Sequence, residues 1–161
     1  MHNITIRLIE PSDNAILAII IRNALTEFNA NRPGTVYFDE STDYLYELFK
    51  TGKGIYYVAV MNNAIVGGGG IFPTAGLDAD TCELVKMYLA PVARGKGLGK
   101  MLMQECLDTA QKEGYKKVYL ETMPELVIAV PMYETFGFEY LKGPLGHSGH
   151  NGCGIWMLKE L

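Results

Sequence analysis

The chain has 161 residues, 48% of them hydrophobic and 20% charged, which is the make-up of a water-soluble globular protein and long enough to bury a full core in one domain, residues 1–161. Its net charge of −4 argues against a general nucleic-acid or anionic-membrane surface. The three cysteines are odd in number and widely spaced, so they make no disulfide framework and point to a reducing, cytoplasmic setting.

The start MHNITIRLIEPSD has no apolar core of the kind a signal peptide needs, and the run Ala15 to Ile21 is too short to span a bilayer. Asn3 to Ile9 alternates as a strand. Pro11-Ser12-Asp13 opens a helix with Ser12 as its expected cap, and the apolar stripe from Leu17 to Phe28 carries it to about Asn29. After the loop NANRPGT, a shorter helix is expected over Thr42 to Lys50, opened by Ser41 or Thr42 and closed by Gly52. Ile55 to Met61 and Ala64 to Phe72 read as a hairpin around Asn62-Asn63. Gly67 to Gly70 interrupt the second strand and imply a bulge, a close approach by backbone or ligand, or crowding against a helix.

Cys82 to Leu89 is the next strand. The loop ARGKGLGK follows, then a helix from Leu98 to Lys112 ended by Gly114, and a strand from Lys117 to Glu121. A helix is expected from Pro124 to Phe136, with Pro131 making its first turns irregular or its start late, and Gly137 as its stop. Phe138 to Leu141 and Ile155 to Leu158 close the chain as an antiparallel pair. The order β-α-α-β-β-β-α-β-α-β-β contains one parallel crossover among hairpins. That is an α/β chain with a mixed sheet and helices on its faces.

ARGKGLGK carries the chemistry. Glycines let backbone amides approach an anion closely, the start of a helix favours negative charge, and Arg94, Lys96 and Lys100 add positive charge where no acidic residue occurs between Glu83 and Glu105. Lys86 contributes a further positive charge nearby. A Walker loop is excluded, because Gly95 to Gly99 is one residue short and Met101 follows Lys100. A dinucleotide fingerprint fails at Lys100 or Leu102, according to its starting glycine.

Arg94-x-x-Gly97-x-Gly99, after a strand and before a helix, resembles the pyrophosphate loop of the GNAT N-acetyltransferase superfamily. MYLAPVARGKGLGKMLM and the later YETFGF (Tyr133 to Phe138) extend the similarity over about Cys82 to Tyr140. The opening IRLIEPSD also looks like that family's first strand and helix start. The resemblance implies a GNAT fold, with a twisted, mostly antiparallel sheet of about six or seven strands between helices. It implies direct acetyl transfer from acetyl-CoA, as co-substrate, to a primary amine of a small molecule or a protein. A non-catalytic acyl-CoA sensor is the alternative, and an ATP or NAD site is the weakest. Main-chain groups of Met87, Tyr88 and Leu89 would meet the pantetheine arm. Gly95, Lys96, Gly97, Leu98, Gly99 and Lys100 would hold the diphosphate, with Arg94 beside it.

Tyr133 matches the family's usual general acid, and a strand amide near Met87 could serve as oxyanion donor. Glu83 on the fourth strand and Glu121, at the position of a glutamate base in some family members, remain open alternatives for the base. One departure stands out: Leu126 occupies the place of the family's frequent asparagine. His147, His150 and Cys153 lie in a glycine-rich loop without an evident fourth ligand, so no metal is expected. That loop and the loop Asn29 to Asp39 are instead expected to border the acceptor site, with His147 or His150 touching substrate. The acidic composition favours cationic acceptors, and the closing strands offer a route to a homodimer.

Overall fold

The structure is a computed structural model and describes residues 2–161. Strand β1 (Ile4–Leu8) leads into a short 3-10 turn, Pro11–Asp13, and then helix α1 (Asn14–Glu27). Ser12 does not cap it. Asp13 does the local work: its carboxylate accepts the Glu10 amide at 2.8 Å and the Arg7 guanidinium at 2.8 and 3.0 Å.

Helix α2 (Leu45–Gly52) starts later than the sequence suggests. Glu40–Asp43 forms a 3-10 turn, in which the Thr42 hydroxyl donates to the Val36 carbonyl at 2.9 Å. The free amide of Tyr46 is taken instead by the side chain of Asn14, at 2.9 Å, from α1. Lys53, at φ 61°, ends the helix.

β2 (Ile55–Met61) and β3 (Ala64–Phe72) form the expected hairpin, with Asn62 and Asn63 at φ 52° and 67°. Then come β4 (Thr81–Leu89), α3 (Leu98–Lys112), β5 (Lys117–Thr122), α4 (Ala129–Thr135), β6 (Glu139–Tyr140) and β7 (Ile155–Glu160). α4 starts late, so that Pro131 falls in its first turn, where its missing amide costs no helical bond.

The sheet has seven strands in the order β1-β2-β3-β4-β5-β7-β6. Only β4 and β5 run parallel, as a crossover through α3 requires. Strand alternation divides the core between two faces. Tyr56 and Val58 pack with Leu17, Ile21 and Leu25 of α1 and with Leu45 and Phe49 of α2. Cys82, Leu84, Val118 and Leu120 pack with Met103, Cys106 and Leu107 of α3 and with Tyr133 of α4. Helices therefore cover both faces, and each buried Leu or Met contributes about 1.5–3 kcal/mol. β7 is interior, so only the short β6 forms the edge at that side. No helix among the described residues is long and apolar enough to cross a membrane.

The glycine run serves this packing. A Cβ at Gly68 would lie 2.6 Å from the Tyr56 ring, and one at Gly70 would lie 2.8 Å from it. Without those side chains the ring lies across β3, and its hydroxyl donates to the Lys86 carbonyl of β4 at 2.8 Å. There β4 bulges: Gly70 pairs with Val85 but Gly68 with Tyr88, and Lys86 adopts φ 53°.

Candidate active site

β4 and β5 are paired only at Thr81–Glu83 against Lys117–Tyr119. Beyond that register they separate, leaving the edge of β4 from Leu84 onward without a strand partner on that side. The split opens into a cavity of about 330 Å³. Its walls include Glu83 to Leu89, the end of β5, the glycine loop, Tyr133, Thr35 and His150.

The loop end of this cavity is built for an anion. Gly95 and Gly97 take left-handed φ of 74° and 83°, which aligns the chain into the first turn of α3. Amides from Gly95 through Lys100 make no backbone hydrogen bond among the described residues, and Met101 is the first to do so, to the Gly97 carbonyl at 3.0 Å. Unpartnered amides at the positive end of a helix dipole suit a phosphate-bearing group. Arg94 lies beside the loop but is engaged elsewhere. Its guanidinium donates to the Leu89 carbonyl at 2.9 Å and to Glu27, and stacks 4.9 Å from the Phe28 ring. It braces the loop against the end of α1. Lys96 donates to the Val92 carbonyl at 2.8 Å.

Along the split, the Thr122 hydroxyl is the one buried side-chain polar atom without a partner among the described residues, and Thr122 lines the cavity. An orphaned hydroxyl next to an open strand edge fits a ligand rich in amide and carbonyl groups, as a pantetheine arm is. Leu126 presents an apolar wall to the same cavity in place of the expected amide side chain.

Titratable groups line the same cavity. Glu83 is 4% exposed and accepts the Thr74 hydroxyl at 2.6 Å. Burial raises its pKa to about 7, helped by the like charge of Glu121 and opposed by the Thr74 hydrogen bond. Glu121 accepts the Tyr119 hydroxyl at 2.6 Å on one oxygen and the Ser148 hydroxyl on the other. Tyr133 is buried against Phe138, and that burial pushes its hydroxyl up to about 12.

The two expected histidines separate. His150 lines the cavity, and its Nε2 lies 2.6 Å from Asp39 Oδ2. His147 is exposed; its amide pairs with the Ala75 carbonyl at 2.7 Å and its ring lies against Gly76, away from the cavity. No group of His, Cys, Asp and Glu among the described residues is arranged to hold a metal. Sequence reasoning missed Asp39, which also lies 3.4 Å from Lys86 Nζ. Burial tends to raise the Asp39 carboxyl, but the hydrogen bond and charge of His150 and the charge of Lys86 more than offset it and hold it low. No local signal marks Asp39. Lys86 did leave one, as the only charged residue in the apolar half of β4, yet it reads from sequence as part of the basic loop.

Comparison with known proteins identifies the family and the fold. Residues 21–138 match the model of the acetyltransferase (GNAT) family. The N-acetyltransferase YjgM of Escherichia coli (strain K12) is 39% identical over 150 residues, spanning 92% of this chain and 90% of that protein. A GNAT-family acetyltransferase structure from Staphylococcus aureus Mu50 superposes with a TM-score of 0.87 at 21% identity over 99% of both chains. The PaiA N-acetyltransferase of Thermoplasma acidophilum, solved in complex with coenzyme A, superposes with a TM-score of 0.77 at 19% identity, again over 99% of both. On the family match and the near full-length relative, the chain belongs to the GNAT family of acetyltransferases.

Proposed function

We propose that the protein moves the acetyl group of acetyl-CoA directly to a primary amine. One observation carries this reading. A single cavity is lined both by the glycine loop, whose Gly95 to Lys100 amides are unpartnered, and by Glu83 and Tyr133. Coenzyme A offers a diphosphate for the amides and a pantetheine arm for Met87 to Leu89 and Thr122. Bound acetyl-CoA supplies an activated thioester.

The remaining chemistry falls to the chain. An alkyl amine has a pKa of about 10.4, so it must lose a proton to attack. Glu83, with its pKa near 7, is matched to receive that proton at neutral pH. Both oxygens of Glu121 already accept hydrogen bonds, which favours Glu83 as the base and leaves Glu121 to hold Ser148 and Tyr119 in place. Tyr133 stays protonated at neutral pH and gives its proton to the sulfur as the C–S bond breaks. The C–N bond forms as the C–S bond breaks; of the two protons the ammonium gives up, one goes to Glu83 and the second, lost from the new amide nitrogen, returns Tyr133 to its neutral form, so that coenzyme A leaves as the thiol.

Calorimetric titration with acetyl-CoA, with ATP and NAD as controls, tests the binding half. Micromolar binding of acetyl-CoA alone is expected, and no binding would sink the reading. Thiol release then tests the chemistry. Tyr133→Phe should lower kcat by about 100-fold or more while the Kd for acetyl-CoA holds. An unchanged rate would remove Tyr133 from the mechanism.

A further inference from the structure

Lys86 is an unusual residue to find at a strand bulge. Its φ of 53° is a region that glycine occupies without strain and a side chain does not. The Tyr56 hydroxyl pins its carbonyl, so the bulge is held from across β3. The Lys86 side chain is 6% exposed and lines the cavity.

An ammonium carries three donors. Among the described residues Lys86 has one polar partner, Asp39 Oδ2, at 3.4 Å. The same Oδ2 is held more closely by His150, at 2.6 Å. Lys86 is therefore a buried amine with donors to spare, lining the cavity; burial lowers its pKa, and the neighbouring Asp39 and Glu83 carboxyls oppose that shift and favour its charged form. Asp39 is its counter-charge, but a long and shared one, which leaves the ammonium able to receive a second anionic partner. Glu83 lies three residues earlier on the same strand and close enough to interact with Lys86, so one wall of the cavity offers a proton acceptor and an ammonium near each other. The Asp39–His150 contact joins the loop after α1 to the loop before β7 across 111 residues of chain, and His150 lines the cavity beside Lys86.

From this juxtaposition we propose that the acceptor is a small zwitterion, an amino acid whose amine meets Glu83 and whose carboxylate is received by Lys86. This rests on the acetyl-transfer reading above and names its substrate class. The overall acidity of the chain attracts cations from a distance. At the site, however, the second ammonium of a polyamine would face Lys86 and be repelled.

The test compares rates of thiol release from acetyl-CoA for amino acids, their amides, their decarboxylated amines, and spermidine. The expected result is a kcat/KM at least about tenfold higher for an amino acid than for its amide or decarboxylated amine, because a buried polar group left unpaired rejects the analogue that lacks its partner. Lys86→Met should collapse that ratio toward one, chiefly through the KM of the amino acid, and Lys86→Arg should keep it. Preference for spermidine or for a decarboxylated amine would overturn the inference, as would equal losses on both substrates in Lys86→Met, or acetyl-CoA binding with no amino acid accepted. Calorimetry separates the two levels. Failure to bind acetyl-CoA defeats the transferase reading itself, whereas binding and turnover without a carboxylate preference defeat only the substrate class.

Discussion

Glu83→Gln should stabilise the protein at alkaline pH and leave it nearly unchanged in mild acid. The carboxyl rises from 4.5 to about 7 on folding, mainly because it is buried. At about 1.4 kcal/mol per pH unit, the ionised form costs the fold about 3 kcal/mol. The sign follows from the direction of the shift. A raised carboxyl contributes its full share of stability below pH 4.5, and that share is lost as pH rises through about 7.

Glutamine keeps an oxygen to accept the Thr74 hydroxyl, which donates at 2.6 Å, and never ionises. The variant should thus match the parent near pH 4.5 and exceed it by about 3 kcal/mol near pH 8.5. For a chain of this size that is a Tm increase of about 5–10 °C. Scanning calorimetry at the two pH values gives the answer, because other titrations cancel in the difference between variant and parent. An equal Tm change at both pH values, or a loss at pH 8.5, would refute the claim that Glu83 carries a burial-raised carboxyl. In the same variant the rising limb of kcat/KM near pH 7 should disappear, since the base is gone. A limb that survives would assign it to another group.

Gly97→Ala and Gly114→Ala make a matched pair. Both positions have left-handed φ, 83° and 90°, and open space around a new Cβ. Each should cost about 1 kcal/mol in thermal stability, but only Gly97→Ala should weaken acetyl-CoA binding in calorimetry; equal weakening by Gly114→Ala would disprove the loop assignment. Asp39→Asn removes the carboxylate shared by Lys86 and His150. It should lower stability by about 1–3 kcal/mol in denaturant melts and raise the acceptor KM without changing the Kd for acetyl-CoA. An unaffected acceptor KM would mean that the Asp39 contact does not shape the acceptor end.

The bounds of β2, β3 and α3 are legible in the sequence because their signals are local. Period-two alternation, the Asn62-Asn63 turn and the Gly97 and Gly114 boundaries lie within or next to the elements they define. The start of α2 is illegible for the opposite reason. Its cap is Asn14, more than a turn's reach away in sequence and supplied by α1. The glycine run of β3 announces close approach, but only packing reveals that the approaching group is the Tyr56 ring rather than a ligand or a helix. The loop before β7 reads as a border of the acceptor site, yet sequence treats His147 and His150 alike. Contacts with Ala75 on one side and Asp39 on the other send them to different places.

By itself the sequence determines the element order and the anion-receptive loop, since each is written in short stretches whose backbone geometry depends on their own residues. Tertiary structure alone decides how the two candidate carboxylates are partnered. Glu83 and Glu121 are equivalent in sequence and both side chains are buried; what differs is their partners, the Thr74 hydroxyl on one and the Tyr119 and Ser148 hydroxyls on the other. The charge pattern of the cavity is likewise assembled from Asp39, Lys86 and His150, three separate parts of the chain. Electrostatic energies depend on distance and dielectric surroundings, and neither exists until the fold has brought those parts together.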